Sequence, residues 1–176
     1  VSVLPCEITA AQRLVTDERI RMLTFTGSAK VGWQLRQQAG KKKVTLELGG
    51  NAGVIVHQDA SLELAVERCC YGAFLYSGQT CISAQRVYVH QSLYQKFTDS
   101  LIERAKKLKS GDPMKEDTDL GPMISQEAAE RVENWVNEAK SKGAKILCGG
   151  KRNGSFYEPT VLTNTTAEMK INCEEV

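Results

Sequence analysis

Two side chains of this 176-residue sequence are of types that could do chemistry together if the chain folds back: Glu47, in Leu46-Glu47-Leu48-Gly49-Gly50-Asn51, and Cys81, in Ser77-Gly78-Gln79-Thr80-Cys81-Ile82-Ser83. The cysteine stands in a small, polar, glycine-bearing stretch where a thiol can be approached, and its own backbone N–H can serve a developing oxyanion. A packed core cysteine, the ordinary fate of a free thiol, is the alternative. The carboxylate stands in an apolar, strand-like run, where burial would disfavour its anion and suit it to take a proton from water. Its alternative is an edge-strand glutamate facing solvent. A thiol with a carboxylate and no evident histidine points to covalent catalysis followed by carboxylate-assisted hydrolysis.

The elements that must position this pair can be read from periodicity. Residues 59–76 carry Leu62, Val66, Cys69, Cys70, Ala73 and Phe74 at helical spacing, so a helix is expected between the two reactive residues. Upstream, Val1–Leu4 reads as a short strand and Ile8–Val15 as a short helix. Arg21–Thr26 reads as a strand running into Gly27-Ser28, followed by a helix with Val31, Leu35 and Ala39 and a stop at Gly40. Lys43–Leu48 is a strand again, and strand–helix–strand alternation is the mark of a parallel α/β sheet. Downstream, strands are expected at Gln85–Val89, Ala144–Cys148 and Tyr157–Leu162. Helices are expected at Ser92–Lys109 and after Ser125, the latter stopped by Gly143. A boundary is expected near Leu48–Asn51, dividing 1–48 from 49–176.

Composition excludes several classes. Apolar residues make up 41% and charged residues 25%, with a net charge of +2, so neither nucleic acid nor a membrane is an expected partner. No apolar run approaches the ~20 residues of a membrane helix. The chain starts Val-Ser-Val-Leu, without an initiator methionine or a leader, and is expected to be an internal piece of a longer chain. Six scattered cysteines with no Cys-x-x-Cys pair argue against zinc and against a disulfide framework, and fit free thiols in a reducing cytoplasm. Cys6, Cys69, Cys70, Cys148 and Cys173 are expected to be packing residues. His57 and His90 show no carboxylate partner and are expected at the surface. Arg86 is expected in a structural salt bridge, with an acidic substrate as its alternative. Trp33 and Trp135 lie on helix faces and are expected to be packing or interface residues. Gly27-Ser28, where a strand hands over to a helix, offers unpaired N–H groups to a phosphate, although a simple helix cap has the same sequence. It is not a Gly-x-Gly-x-x-Gly fingerprint.

Phe25-Thr26-Gly27-Ser28, Glu47-Leu48-Gly49-Gly50, Gly78-Gln79-Thr80-Cys81, Leu120-Gly121-Pro122, Glu158-Pro159-Thr160 and Glu174-Glu175-Val176 stand in an order and spacing that resembles the aldehyde dehydrogenase superfamily. The resemblance covers nearly the whole chain. It implies an α/β fold: the last part of a Rossmann-like, NAD(P)-binding domain over 1–48, and a parallel-sheet, thiol-bearing catalytic domain over 49–176. It implies NAD or NADP as cofactor, with Gly27, Ser28, Leu48 and Glu175 on the cofactor side. Cys81 is then the nucleophile and Glu47 the base that activates the deacylating water. The implied reaction takes an aldehyde through a thiohemiacetal, a hydride transfer and a thioester to a carboxylic acid. The segments Gly50–Gly53 and Cys81–Arg86 resemble a subgroup acting on small polar aldehydes such as lactaldehyde or glyceraldehyde and their phosphorylated or sulfonated relatives. A homo-dimer or homo-tetramer is implied for the full-length protein, and the piece by itself is expected to be inactive. A cofactor-independent cysteine esterase or thioesterase, and a catalytically silent assembly domain, are the competing readings.

Overall fold

Leu23 and Phe25 alternate with Thr24 and Thr26, and Val44, Leu46 and Leu48 alternate with Thr45 and Glu47. This is the period-two pattern of strands with one covered face. In the computed structural model, which describes residues 1–175, these residues form β1 (Met22–Gly27) and β2 (Lys43–Leu48). The two strands pair in parallel, with Thr26 opposite Glu47 and Gly27 opposite Leu48. Helix α1 (Ile8–Thr16) precedes them, and α2 (Ala29–Gln38) makes the crossover between them. Helix α2 starts where the Ser28 hydroxyl accepts the Val31 N–H at 3.5 Å and stops before Gly40, whose φ of 60° continues no helix. The chain separates into two units, Val1–Gly49 and Gly50–Val176, and these elements make up the first. The strand expected at Val1–Leu4 is absent. Those residues are exposed and pair with no strand of the described chain, so their backbone groups are left to solvent.

The second unit opens with another parallel strand–helix–strand: β3 (Ala52–Val56), α3 (Leu62–Phe74) and β4 (Ala84–Val89). The apolar stripe of α3 buries Val66, Cys69 and Cys70 against Val56 of β3 and against Phe97 and Leu101 of α4 (Tyr94–Lys107). Helix α3 ends with its stripe at Phe74, two residues before the expected end at 76, because the backbone is extended at Leu75 and left-handed from Tyr76 to Gly78. After a surface loop, α5 (Gln126–Ser141) begins with Ser125 Oγ accepting the Ala128 N–H at 3.2 Å and buries Ala129, Val132, Val136 and Ala139.

The strand expected at 144–148 is present as Lys145–Cys148, but the run after it departs from expectation. The run 157–162 is not one strand but two. β6 (Arg152–Asn153) and β7 (Phe156–Tyr157) form a small hairpin, whereas β8 (Val161–Thr163) pairs antiparallel with β5 (Lys145–Cys148). Pro159 interrupts the run because it has no N–H for a ladder. Thr160 closes the break, donating to the Glu158 carbonyl at 2.7 Å and accepting the Gly150 N–H at 2.9 Å. The chain ends in a short helix, α6 (Lys170–Cys173), seated through Met169 and Ile171 on Ala139 and Ala144.

Gly149 shows what this corner requires. Its φ is 74°, and a Cβ there would collide with the Pro159 carbonyl oxygen. Gly154 has φ 58° but open space around it. Gly149→Ala is therefore expected to cost about 2–5 kcal/mol, combining left-handed strain with the collision, whereas Gly154→Ala costs about 1–2 kcal/mol. Urea midpoints of the two variants check the contrast, and equal midpoints would refute it.

Candidate active site

Cys81 is held by a loop whose backbone is strained before it and anchored after it. Tyr76, Ser77 and Gly78 are consecutive left-handed residues, with φ of 50°, 57° and 77°. For the two non-glycine residues this costs roughly 1–2 kcal/mol each, so the surroundings must hold them there. Ser77 Oγ donates to the Gly121 carbonyl at 2.7 Å, and Gln79 Oε1 accepts the Ile124 N–H at 3.2 Å. Beyond the thiol, the Ser83 N–H closes a turn onto the Thr80 carbonyl at 3.0 Å. Ser83 itself is buried and donates from Oγ to the Ala73 carbonyl at the end of α3, at 3.2 Å. Cys81 is exposed at the top of this turn.

The other cysteines sort into two groups. Cys69, Cys70 and Cys148 are buried, and burial pushes their thiols up from the ordinary value, which makes them poor nucleophiles. Cys6 and Cys173 are exposed, not packed as expected.

In the first unit, Gly27, Ser28, Glu47 and Leu48 all lie at the carboxyl ends of β1 and β2. That edge of a parallel α/β sheet is where ligands bind. Gly27 cannot be larger without disturbing Phe25, since a Cβ there would stand 2.6 Å from its ring. Ser28 is exposed at the N-terminus of α2, where first-turn N–H groups have no acceptor within the helix. A helix end of this kind can receive an anion, and the Ser28 hydroxyl caps it by accepting the Val31 N–H. Leu48 is half-buried and packs toward α2, with its Cδ2 beside Gly32. Glu47 points the other way. It is exposed on the face it shares with Thr24, Thr26 and Thr45, so the expectation of a buried carboxylate is not met. The apolar neighbours in its sequence all belong to the opposite face of the strand.

Glu175 is exposed, and its carbonyl accepts from Arg131 Nη1 at 3.0 Å. The segment it leaves from is fastened by Asn51, a residue to which the sequence reading assigned no role. Asn51 Nδ2 donates to the carbonyls of Ile171 and Glu174 at 3.0 and 2.8 Å. Its Oδ1 and backbone carbonyl accept from Arg86 Nε and Nη2, both at 2.8 Å. Arg86 is thus in neither a salt bridge nor an open anion site, since its Nη1 is spent on the Tyr88 hydroxyl. A polar amide directly after Gly49-Gly50 was the available signal. Ser77 and Gln79 carry no signal of their own in the sequence, being polar residues that any loop contains.

The histidines also need a correction. His57 Nδ1 lies 2.9 Å from Asp59 Oδ1, a carboxylate partner two residues on, and this bond holds the Asp59 carboxyl below its ordinary value. His90 pairs with Ser92 Oγ at 2.9 Å. Both histidines are exposed as expected, and neither touches Cys81. Trp33 is exposed and unpacked within its unit, whereas Trp135 packs with Met169 and Ile171. A cavity of about 570 Å³ in the second unit has a mixed lining, with Phe74, Val87, Leu101 and Val132 on its apolar side and Ser77, Arg86 and Glu158 among its polar residues, and it does not include Cys81. No helix of the described residues is long and apolar enough to cross a membrane.

The pattern of the aldehyde dehydrogenase family matches residues 1–176, and the chain belongs to that family. It is 51% identical over 163 residues to a 3-sulfolactaldehyde dehydrogenase of Priestia aryabhattai, covering 93% of this chain and 34% of that protein. Its structure is similar to aldehyde dehydrogenase 21 of Physcomitrella patens in complex with the reaction product succinate. That match has a TM-score of 0.94 and 46% identity, and covers 98% of this chain and 36% of the other. It is also similar to a glyceraldehyde-3-phosphate dehydrogenase of Methanocaldococcus jannaschii complexed with NADP, with a TM-score of 0.85 and 44% identity, covering 86% of this chain and 33% of the other. Solved members of the family to which the chain is similar hold NADP or NAD. The chain spans about a third of the length of the relatives it matches.

Proposed function

We propose that the protein carrying this chain oxidises a small polar aldehyde to a carboxylic acid, with Cys81 as nucleophile and Glu47 as the base of deacylation. The observation that carries this reading is the setting of Cys81: an exposed thiol on a strained, pinned turn, in a chain of this family. Residues 1–48 then serve as the last part of the cofactor domain and 49–176 as the thiol-bearing domain. NAD or NADP, when bound, accepts the hydride. Gly27 and the α2 terminus at Ser28 would hold its phosphate, Leu48 would back that edge against α2, and Glu175 would hold the nicotinamide ribose.

The Cys81 thiolate adds to the carbonyl carbon, and its backbone N–H donates to the oxyanion that forms. Loss of hydride from that carbon leaves an acyl thioester on Cys81. Glu47 takes a proton from water as the water attacks the thioester, and the acyl group leaves as the acid while Cys81 is returned as thiolate. An exposed Glu47 has the solvent access that delivering such a water requires. The relative named for 3-sulfolactaldehyde supports a short aldehyde bearing a polar or anionic group as substrate. Six free thiols fit a reducing cytoplasm. Turnover belongs to the whole protein, since the relatives that turn over are about three times longer.

The test is alkylation by iodoacetamide, mapped by mass spectrometry with and without NAD. Cys6 and Cys173 are the internal standards, being exposed but outside the turn. Cys81 is expected to label about tenfold faster than either, as an activated thiol does, and NAD is expected to change that rate. Equal labelling of the three would remove the nucleophile. Fast labelling with ester hydrolysis, indifferent to NAD, would favour a cysteine esterase instead.

A further inference from the structure

The loop that displays Cys81 does not hold itself. Tyr76 and Ser77 occupy left-handed conformations that L-residues leave when nothing restrains them. What restrains them comes from more than forty residues away. The segment Gly121–Ile124 runs alongside as a rail, receiving the Ser77 hydroxyl at the Gly121 carbonyl (2.7 Å) and giving the Ile124 N–H to Gln79 Oε1 (3.2 Å). The rail is itself fixed. Leu120 and Met123 are buried, the Met123 N–H donates to the Ser155 carbonyl at 2.8 Å, and the Leu120 N–H donates to the Lys109 carbonyl at 3.0 Å.

We propose that Ser77 and Gln79 are positioning residues for the nucleophile, clamping the Cys81 turn to the Gly121–Ile124 rail. The inference rests on Cys81 being the nucleophile. Neither side chain touches the reacting atoms. Each acts by keeping the thiol, and the backbone N–H beside it, at one place on an otherwise relaxing loop. Two clamps flank the left-handed Gly78, so loss of either lets the backbone relax on that side. A reacting atom displaced by even 1 Å is a substantial handicap.

The experiment uses Ser77→Ala, Ser77→Asn and Gln79→Met in the protein that carries this chain. Ser77→Ala removes the donor and leaves the strain; Ser77→Asn keeps a donor and tolerates the left-handed region. Gln79→Met keeps the length and loses the acceptor. Ser77→Ala and Gln79→Met are expected to lower kcat and the Cys81 alkylation rate about tenfold, with both KM values within about twofold. Cys6 and Cys173 labelling should be unchanged in both, and Ser77→Asn should recover most of the loss. A merely structural role would move all three cysteines or the urea midpoint, and would leave kcat per folded molecule alone. Wild-type rates in Ser77→Ala and Gln79→Met, with Cys81 still the fast thiol, would overturn the clamp and leave the nucleophile standing. A Cys81 no faster than Cys6 in the unmodified protein would remove both. Should Ser77→Ala fail to fold, Gln79→Met carries the same test from the other side of Gly78.

Discussion

Cys81→Ser is expected to reduce aldehyde oxidation by the protein carrying this chain by at least about 10³-fold in kcat, with cofactor binding unchanged. The hydroxyl is close in size to the thiol but ionises several units higher, so no comparable anion is available to attack the carbonyl. The turn itself should survive. Its strain and its anchors belong to Tyr76, Ser77, Gly78, Gln79 and Ser83, and Cys81 is exposed with no packing role to lose. The measurement is steady-state NAD(P)H formation together with a cofactor titration by fluorescence. Retention of more than about a tenth of wild-type kcat, with binding intact, would sink the assignment, since no buried cysteine is placed to substitute. Cys69, Cys70 and Cys148 have thiols pushed up by burial and lie inside the fold.

Glu47→Gln is expected to separate the two halves of the reaction. Attack by Cys81 and hydride loss do not require a base at Glu47, so one equivalent of reduced cofactor should form per Cys81 at close to the normal rate. Hydrolysis of the thioester then lacks its proton acceptor, and steady-state turnover should fall about 10²- to 10⁴-fold. Rapid-mixing absorbance shows the burst, and mass spectrometry should find the acyl group on Cys81. Loss of the burst along with the steady state would place Glu47 in thiol activation instead. Because Glu47 is exposed on β2 and pairs across from Thr26, the substitution is expected to leave stability within about 0.5 kcal/mol.

Local sequence carried much of this. The helical stripe from Leu62 to Phe74 and the turn chemistry at Gly27-Ser28 and Ser125 depend on residues within a few positions of one another, and the structure repeats them closely. The burial of Glu47 was misread for a reason visible in its own strand. Val44, Leu46 and Leu48 make the run look apolar, yet successive side chains point to opposite faces, and Glu47 shares its face with threonines. The run 157–162 was misread because a strand pattern says nothing about its partner. Pro159 and the Thr160 hydroxyl decide where pairing stops.

By itself, the order of residues determined the α/β alternation and the family, because these follow from short-range spacing and from ordered motifs. Only the tertiary structure decided which cysteines are open and which are sealed. Only it revealed that Ser77 and Gln79 meet a rail at Gly121 and Ile124, and that Asn51 fastens Arg86 to the carbonyls of Ile171 and Glu174. Those contacts join residues 35 to 123 positions apart. Small polar side chains announce no partner in the sequence; a hydrogen bond exists only once the folded chain has brought donor and acceptor within about 3 Å and excluded the competing water.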